Sequence, residues 1–162
     1  MQQRLIFHVD VNSAFLSWEA ARRVAAGEPD LRAIPSAIGG DRDKRTGIIL
    51  AKSIPAKKFG VTTGEPVGMA LRKCPQLVLA PPDFALYTRN SRAFIAICRR
   101  FAPVVEQVSI DECFLDMTGT GLLYPDPIAI AHTIKDTILS ELGFTVNVGI
   151  APNKLLAKMA SD

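Results

Sequence analysis

Two predicted strands meet in the segment Ser109-Ile110-Asp111-Glu112-Cys113-Phe114-Leu115-Asp116. The first strand covers residues 104–110 and the second covers residues 113–117, so Asp111 and Glu112 form a tight junction between them. Each acid by itself is equally consistent with a strand-end or turn residue that faces water. The two carboxylates together make this junction the first candidate for a functional site.

Asp10 is a second acidic landmark, because it closes the apolar run of residues 5–9 within a predicted strand over residues 4–11. If the fold brings Asp10 beside Asp111 and Glu112, three carboxylates converge where buried strands end. Like charges disfavour each other's ionisation, and a divalent cation is the usual remedy. Hard oxygen ligands suit Mg²⁺, with Mn²⁺ as the alternative. Chemistry on phosphate groups is therefore the first hypothesis.

The residues outside 12–80 follow the pattern β-α-β-β-α-β, which is the split βαβ (ferredoxin-like) plan. The members are strand 4–11, a helix from Asp83 that ends before Pro103, strands 104–110 and 113–117, helix 126–142 and strand 144–150, with a last helix from about Pro152-Asn153. Right-handed crossovers place the first strand beside the third, antiparallel to it. Asp10 then lies at the same sheet edge as Asp111 and Glu112. The predicted fold class is α+β.

Residues 12–80 are predicted to form an inserted small α/β subdomain. Asn12 is the predicted cap of a helix that runs to about Val24-Ala25. The other predicted elements are strands 34–38 and 47–52 with a polar turn at 40–45 between them, a helical turn at 55–59, a helix near 65–73 and a strand at 77–80.

The composition fits a protein with a sizeable hydrophobic core, since 48% of the 162 residues are hydrophobic and 22% are charged. No apolar stretch approaches the roughly 20 residues of a membrane-spanning helix, and the N-terminus does not resemble a signal peptide. Three widely spaced cysteines without a Cys-x-x-Cys motif predict buried thiols in a reducing, cytoplasmic setting.

The net charge of +3 is distributed unevenly along the chain. Residues 40–100 hold twelve Lys or Arg against four acidic residues, and residues 101–162 hold three Lys against eight acidic residues. A basic segment beside an acidic one fits a polyanion held over a metal site. An ordinary solvated surface accounts for the same counts, so charge alone leaves both interpretations open.

Four sequence blocks carry a resemblance to a known family. They are Phe7-His8-Val9-Asp10-Val11-Asn12-Ser13-Ala14-Phe15, Ala51-Lys52-Ser53-Ile54-Pro55-Ala56-Lys57-Lys58-Phe59-Gly60-Val61, Ser109-Ile110-Asp111-Glu112-Cys113-Phe114-Leu115-Asp116 and Val148-Gly149-Ile150-Ala151-Pro152-Asn153-Lys154-Leu155-Leu156-Ala157-Lys158. Together, in this order, they resemble the Y-family translesion DNA polymerases of the DNA polymerase IV and UmuC-like type. The resemblance spans essentially the whole chain and is more specific than any single motif.

The resemblance implies a catalytic palm from residues 1–11 and 81–162 and fingers from residues 12–80. It also implies template-directed nucleotidyl transfer with two Mg²⁺ ions, for which Mn²⁺ is the alternative. By this resemblance Asp10 and Asp111 are ligands of both ions, Glu112 is a ligand of the catalytic ion, and the Val11 carbonyl is a ligand of the nucleotide-bound ion.

The resemblance also implies a set of nucleotide-binding residues, namely Ser13, Ala14, Phe15, Ile54 and Lys57. Phe15 resembles the steric gate that rejects a 2′-hydroxyl, although helical spacing with Trp18 also fits a core aromatic residue. The backbone N–H groups of Ala14 and Phe15 lie in a first helical turn, where the helix dipole favours phosphate. Ile54 and Lys57 stand where the family commonly has Tyr and Arg, which predicts weaker or differently arranged nucleotide binding.

The expected function is DNA-directed DNA synthesis past damaged template bases, with primer–template DNA and dNTP as partners. The thumb and little-finger domains of the family are absent from the 162 residues, so this chain is expected to be weakly active or inactive alone. A monomer is expected, and a sliding clamp would bind beyond residue 162. A non-catalytic DNA- or metal-binding accessory module is the alternative. A nucleotidyl cyclase-like enzyme is a third and weaker alternative. The block from Ser53 to Val61 argues against it, because cyclases have no such insertion.

Several neighbouring polar residues are predicted to be structural. His8 is interpreted as a packed strand residue, and Cys113 and Asp116 as structural residues of the second strand. Strand periodicity puts Asp116 on the face of Glu112, so a ligand role for Asp116 is the weaker alternative. The sequence leaves open whether Lys154 and Lys158 contact phosphate or only solvate the last helix.

Overall fold

The structure of the protein is a computed structural model that describes residues 2–162. The strands are β1 (Ile6–Val11), β2 (Ser36–Ile38), β3 (Ala51–Lys52), β4 (Val78–Ala80), β5 (Val104–Gln107), β6 (Glu112–Asp116) and β7 (Val146–Ala151). The α-helices are α1 (Ala14–Ala25), α2 (Ile54–Lys58), α3 (Val67–Lys73), α4 (Phe84–Phe101), α5 (Pro127–Leu142) and α6 (Lys154–Ser161). None of the helices in the described part is long and apolar enough to cross a membrane.

The chain folds into two compact units. The carboxylate unit contains the residues up to Asn12 together with Thr88–Asp162, and the inserted unit contains Ser13–Tyr87. Each unit has its own β-sheet: four strands in the order β5-β6-β1-β7 in the first, and three strands in the order β3-β2-β4 in the second.

Antiparallel pairing of β1 with β6 brings the predicted acidic landmarks together. Asp10 lies directly opposite Glu112 in this register, and β1 also pairs with β7 on its other side. The prediction that the first strand lies beside the third is therefore confirmed. The predicted strand ends were less accurate, because β5 ends at Gln107 and β6 already begins at Glu112. The N–H groups of Val108 and Ser109 instead donate to the Glu112 carbonyl, at 3.1 and 3.3 Å, and so close the junction.

One face of this sheet forms the hydrophobic core of the carboxylate unit. Alternation along β1 and β6 places Phe7, Val9, Cys113 and Leu115 on this face, and all four are fully buried. Helices α4 and α5 supply further core residues, and an ion pair of Arg100 with Glu141 (2.8 Å) joins the two helices. The three cysteines are free and buried, as predicted.

The opposite face of the sheet carries Asp10 and Glu112, and α6 packs against this face. The contact requires Gly149, because a Cβ at this position would lie 2.0 Å from the carbonyl oxygen of Ala157 and 2.5 Å from the N–H nitrogen of Ser161. Asn153 caps the helix by accepting a hydrogen bond from the Leu156 N–H at 2.9 Å. The last helix therefore rests directly on the backbone of β7.

The inserted unit begins with a sharp corner at Ser13. Ser13 is the N-cap of α1 and has left-handed backbone angles (φ 45°, ψ 57°), but its side chain does not cap the helix. The prediction of Asn12 as the cap was wrong, because the Asn12 amide donates instead to the Thr145 hydroxyl at 2.9 Å. The inserted sheet pairs β2 antiparallel with β3 and parallel with β4.

A polar cluster in the inserted unit links α3 to the segment before it. Buried Glu65 accepts hydrogen bonds from the Lys73 ammonium at 2.6 Å and from the Thr62 N–H at 3.0 Å, and Lys73 also donates to the Gly60 carbonyl. Burial acts to raise the pKa of Glu65, but the hydrogen bonds from Lys73 and Thr62 outweigh it and hold the pKa below the ordinary value of 4.5.

We expect the Glu65 cluster to stabilise the protein at neutral pH and less so in acid. A carboxylate whose pKa is lowered by folding contributes stability above its unfolded pKa, and that contribution is lost as the pH falls through the folded pKa. Glu65→Gln should therefore lower the free energy of unfolding by about 1 kcal/mol at pH 7. Urea unfolding at pH 7 and pH 3.5 measures this difference, which should shrink at the lower pH. An equal difference at both values would contradict the prediction.

Candidate active site

Asp10 is the carboxylate at the end of β1. Its side chain is half-buried, and burial, followed by the nearby negative charges of Asp111 and Glu112, raises its pKa from 3.8 to about 6. The carbonyl of Asp111 accepts a hydrogen bond from the Val11 N–H at 2.9 Å, which ties the junction to the end of β1. The three predicted acidic residues are therefore close enough for their charges to interact.

Asp111 is positioned by its own junction. The Ser109 hydroxyl donates a hydrogen bond to the Asp111 carboxylate at 2.7 Å. The Ser109 hydroxyl thus orients this side chain from within the junction.

Glu112 is positioned by residues from two other elements. Lys158 of α6 donates to both carboxylate oxygens of Glu112, at 3.1 and 3.0 Å. His8 of β1 is fully buried, and its Nε2 lies 3.1 Å from the same carboxylate. Burial acts to raise the pKa of Glu112, but the contacts with Lys158 and His8 prevail and lower it.

The donor chemistry of this edge suits a divalent cation. Asp10, Asp111 and Glu112 supply carboxylate oxygens, and Val11 supplies a carbonyl, all of which are hard ligands. Burial, and after it the negative charges of Asp111 and Glu112, raises the pKa of Asp10, and a bound cation would relieve the repulsion among these carboxylates. Within residues 2–162, however, no three His, Cys, Asp or Glu side chains are grouped closely enough to hold a metal ion together. These residues offer suitable ligand atoms, and their backbones lie at the same edge of the sheet. Their side chains, however, are not arranged around a common point.

The predicted nucleotide-binding residues all belong to the inserted unit. Ser13, Ala14 and Phe15 lie at the start of α1, where the first helical turn has N–H groups without intrahelical partners. Phe15 is partly buried: its ring stacks on Tyr87 with the centroids 4.3 Å apart and meets the edge of Phe84 at 5.9 Å. The structure thus shows Phe15 packed among aromatic residues, as its helical spacing predicted, and its role as a steric gate stays a prediction.

Ile54 and Lys57 lie three residues apart on α2. Ile54 is the first residue of the helix, and 73% of its surface is exposed, which is unusual for a large aliphatic side chain. The Ser53 hydroxyl accepts a hydrogen bond from the Ala56 N–H and so fixes the start of the helix. Lys57 lies in the last turn and is also exposed.

Two contacts at the site were not foreseen from the sequence. His8 was expected only to pack, yet it contacts Glu112, and Lys158 was left open. Strand alternation puts His8 on the face of Asp10, and the register pairs His8 with Phe114, which makes Glu112 its diagonal neighbour. That signal was available in the sequence. By contrast, Asp116 is structural as expected, since it accepts a hydrogen bond from the Thr118 N–H at 3.0 Å.

Comparison with known proteins identifies the family. The family model described as impB/mucB/samB matches residues 9–162. The chain belongs to the impB/mucB/samB family. One relative is a protein from Clostridium acetobutylicum named DNA polymerase IV. It is 51% identical over 160 residues, which cover 98% of this chain and 40% of the relative. DNA polymerase IV from Escherichia coli O139:H28 is 42% identical over 159 residues, covering 98% of this chain and 44% of the relative.

Solved structures agree with membership of the impB/mucB/samB family. A chimeric Y-family DNA polymerase matches with a TM-score of 0.86 at 28% identity, covering 98% of this chain and 45% of that chain. DinB from Sulfolobus solfataricus matches with a TM-score of 0.83, also at 28% identity and covering the same shares of both chains. The predicted resemblance to Y-family polymerases and the α+β fold class are thereby confirmed. The chain spans about two fifths of the length of the curated relatives it matches.

Proposed function

We propose that this chain is the catalytic portion of a translesion DNA-directed DNA polymerase, which transfers a nucleotide from a dNTP to a primer 3′-hydroxyl. The observation that carries the proposal is the pairing of Asp10 with Glu112 in neighbouring strands, with Asp111 hydrogen-bonded to the next residue of β1. Relatives named DNA polymerase IV, matched over nearly the whole chain, support the same activity.

Two divalent ions, Mg²⁺ with Mn²⁺ as the alternative, would lower the pKa of the attacking hydroxyl and neutralise the leaving pyrophosphate when bound. Asp10 and Asp111 would hold both ions, Glu112 the catalytic ion, and the Val11 carbonyl the nucleotide-bound ion. An ionised carboxylate only accepts hydrogen bonds, so these side chains would bind and orient the ions rather than donate protons.

The inserted unit would contribute the nucleotide-binding groups. The N–H groups of Ser13, Ala14 and Phe15 are suited to phosphate oxygens, since they lie at a helix N-terminus. The Phe15 ring would exclude a 2′-hydroxyl, and its stacking on Tyr87 would keep the ring from moving aside. Lys57 would supply a positive charge for the triphosphate, as a point charge without the bidentate geometry of Arg.

Primer extension by a chimera tests the proposal. Because this chain covers only part of its relatives, residues 1–162 replace the matching segment of the Clostridium acetobutylicum DNA polymerase IV. The chimera should extend a primer with dNTPs and Mg²⁺, including opposite a damaged template base. The alternative of a non-catalytic accessory module predicts no extension, and a chimera that folds and binds DNA without extending the primer would overturn our proposal.

Substitution of Ile54 by Tyr should strengthen nucleotide binding. An exposed Ile side chain at the start of α2 cannot donate a hydrogen bond to phosphate, whereas a Tyr hydroxyl can. One hydrogen bond to a charged group is worth about 1.5 kcal/mol or more, which corresponds to roughly tenfold in affinity. The KM for dNTP in the chimera measures the effect, with Ile54→Phe as the control that adds the ring without the hydroxyl. Equal KM values for the Tyr and Phe variants would contradict the prediction.

Other features of the proposal concern the setting of the protein. Primer–template DNA and dNTP are the proposed partners, a sliding clamp is a further candidate partner, and the proposed state is a monomer. A cytoplasmic location is proposed because the thiols of Cys74, Cys98 and Cys113 are unpaired.

A further inference from the structure

The Glu112 carboxylate is engaged on both oxygens by groups that carry or can carry positive charge. The Lys158 ammonium contacts Oε1 at 3.1 Å and Oε2 at 3.0 Å, and the His8 imidazole contacts Oε2 at 3.1 Å. The Glu112 side chain is only 16% exposed, so water screens this ion pair less than it screens a pair on the open surface. Glu112 therefore already has a cationic partner within the protein.

The position of Lys158 is fixed by the packing of α6. The absence of a side chain at Gly149 lets the helix backbone rest on β7, as described above. The Ser161 hydroxyl then bonds both to the Lys158 carbonyl, at 2.9 Å, and to the Nδ1 of His8. The same helix turn thus connects the two residues that contact Glu112.

We propose that Lys158 is a positioning residue that competes with a divalent cation for Glu112. This inference rests on the proposed function, because it takes Glu112 as a ligand of the catalytic ion. An ammonium and a divalent cation on the same carboxylate repel each other, so binding of one weakens binding of the other. Lys158 would thereby keep the carboxylate in place and hold the affinity of the protein for the ion low until the phosphate oxygens of a nucleotide add further ligands.

Lys154 provides a matched control on the same helix. It lies one turn before Lys158, its side chain is equally exposed at 46%, and it also forms an ion pair. Its partner is Glu106, which is itself 56% exposed and is not among the proposed ligands. Removal of the Lys154 charge changes the net charge of the chain by the same amount without touching Glu112.

Mn²⁺ binding, followed by electron paramagnetic resonance of the free ion, tests the inference on this chain without nucleotide. Lys158→Met should bind Mn²⁺ roughly tenfold more tightly than the wild type, because the competing charge is removed. Lys154→Met and Lys158→Arg should both have the Mn²⁺ affinity of the wild type. The first does not change the contacts of Glu112, and the second keeps the positive charge beside it. Urea unfolding checks that each variant folds, and Lys158→Gln replaces the Met variant if that one does not.

Unchanged or weaker Mn²⁺ binding by folded Lys158→Met would overturn the inference. Asp111→Ala distinguishes this failure from a failure of the metal site. If the wild type binds Mn²⁺ and Asp111→Ala does not, unchanged binding by Lys158→Met refutes only the role of Lys158. If neither the wild type nor Lys158→Met binds Mn²⁺ at millimolar concentration, both the metal site and the competition are refuted.

Discussion

Replacement of Asp111 by Ala should abolish primer extension by the chimera. The proposed role of Asp111 is to hold both divalent ions, and metal ions supply several kcal/mol of transition-state stabilisation in phosphoryl transfer. At 1.36 kcal/mol per tenfold in rate, loss of this support corresponds to roughly a thousandfold or more. The rate of single-nucleotide addition at saturating dNTP is the measurement, because it separates the chemical step from nucleotide binding.

Asp116→Asn is the matched control for Asp111→Ala. Asp116 lies at the far end of β6, on the face that carries Glu112, and its carboxylate accepts a hydrogen bond from the Thr118 N–H, a role that an Asn oxygen can also fill. This variant should extend primers at close to the wild-type rate. Retention of extension by Asp111→Ala, or equal loss in both variants, would refute the assignment of Asp111 to the metal site.

Replacement of Gly149 by Ala should strongly destabilise the carboxylate unit. The added methyl group would lie 2.0 Å from a helix carbonyl oxygen and 3.0 Å from the Ala160 carbonyl carbon, and both are backbone atoms that cannot move aside alone. Helix α6 must therefore shift away from β7. Overpacking of this kind typically lowers the free energy of unfolding by about 2 kcal/mol or more. For a chain of 162 residues, a loss of about 2 kcal/mol corresponds to a fall of roughly 4–8 °C in the melting temperature.

Gly121→Ala separates a packing effect from the general effect of replacing glycine. A Cβ at Gly121 would have no heavy atom within 4 Å, so this variant should melt within about 1 °C of the wild type. Thermal unfolding of the two variants, side by side, gives the comparison. Similar melting temperatures for Gly149→Ala and the wild type would mean that α6 does not rest on β7 in solution.

The sheet of the carboxylate unit could be predicted from the sequence, because it follows from short-range patterns and one topological rule. The apolar run before Asp10, the alternation after Glu112 and the helical spacing between Asp83 and Pro103 define the elements. The preference for right-handed crossovers then fixes the strand order. The register that pairs Asp10 with Glu112 keeps the apolar residues of β1 and β6 on one buried face, because a slip by one residue would turn them to the opposite face.

The contact of Lys158 with Glu112 could not be predicted in the same way. The approach of α6 to β7 depends on one missing Cβ, and a lone Gly in a strand is equally consistent with a bulge or a flexible point. The wrong cap had a similar origin: Asn12 is a good capping residue, but a hydrogen bond to Thr145, far away in the chain, takes its side chain. Local preference was overridden by tertiary contacts in both cases.

The left-handed backbone at Ser13 restricts the types of residue that can occupy this position. A residue other than glycine in this conformation is less favourable by roughly 1–2 kcal/mol, and a β-branched side chain is crowded further. Sequence drift at this corner should therefore be confined to Gly, Asn, Asp and Ser, although the hydroxyl itself makes no capping contact. The requirement at position 13 is one of backbone shape, so its variation among relatives would track the geometry of the turn rather than the chemistry on either side of it.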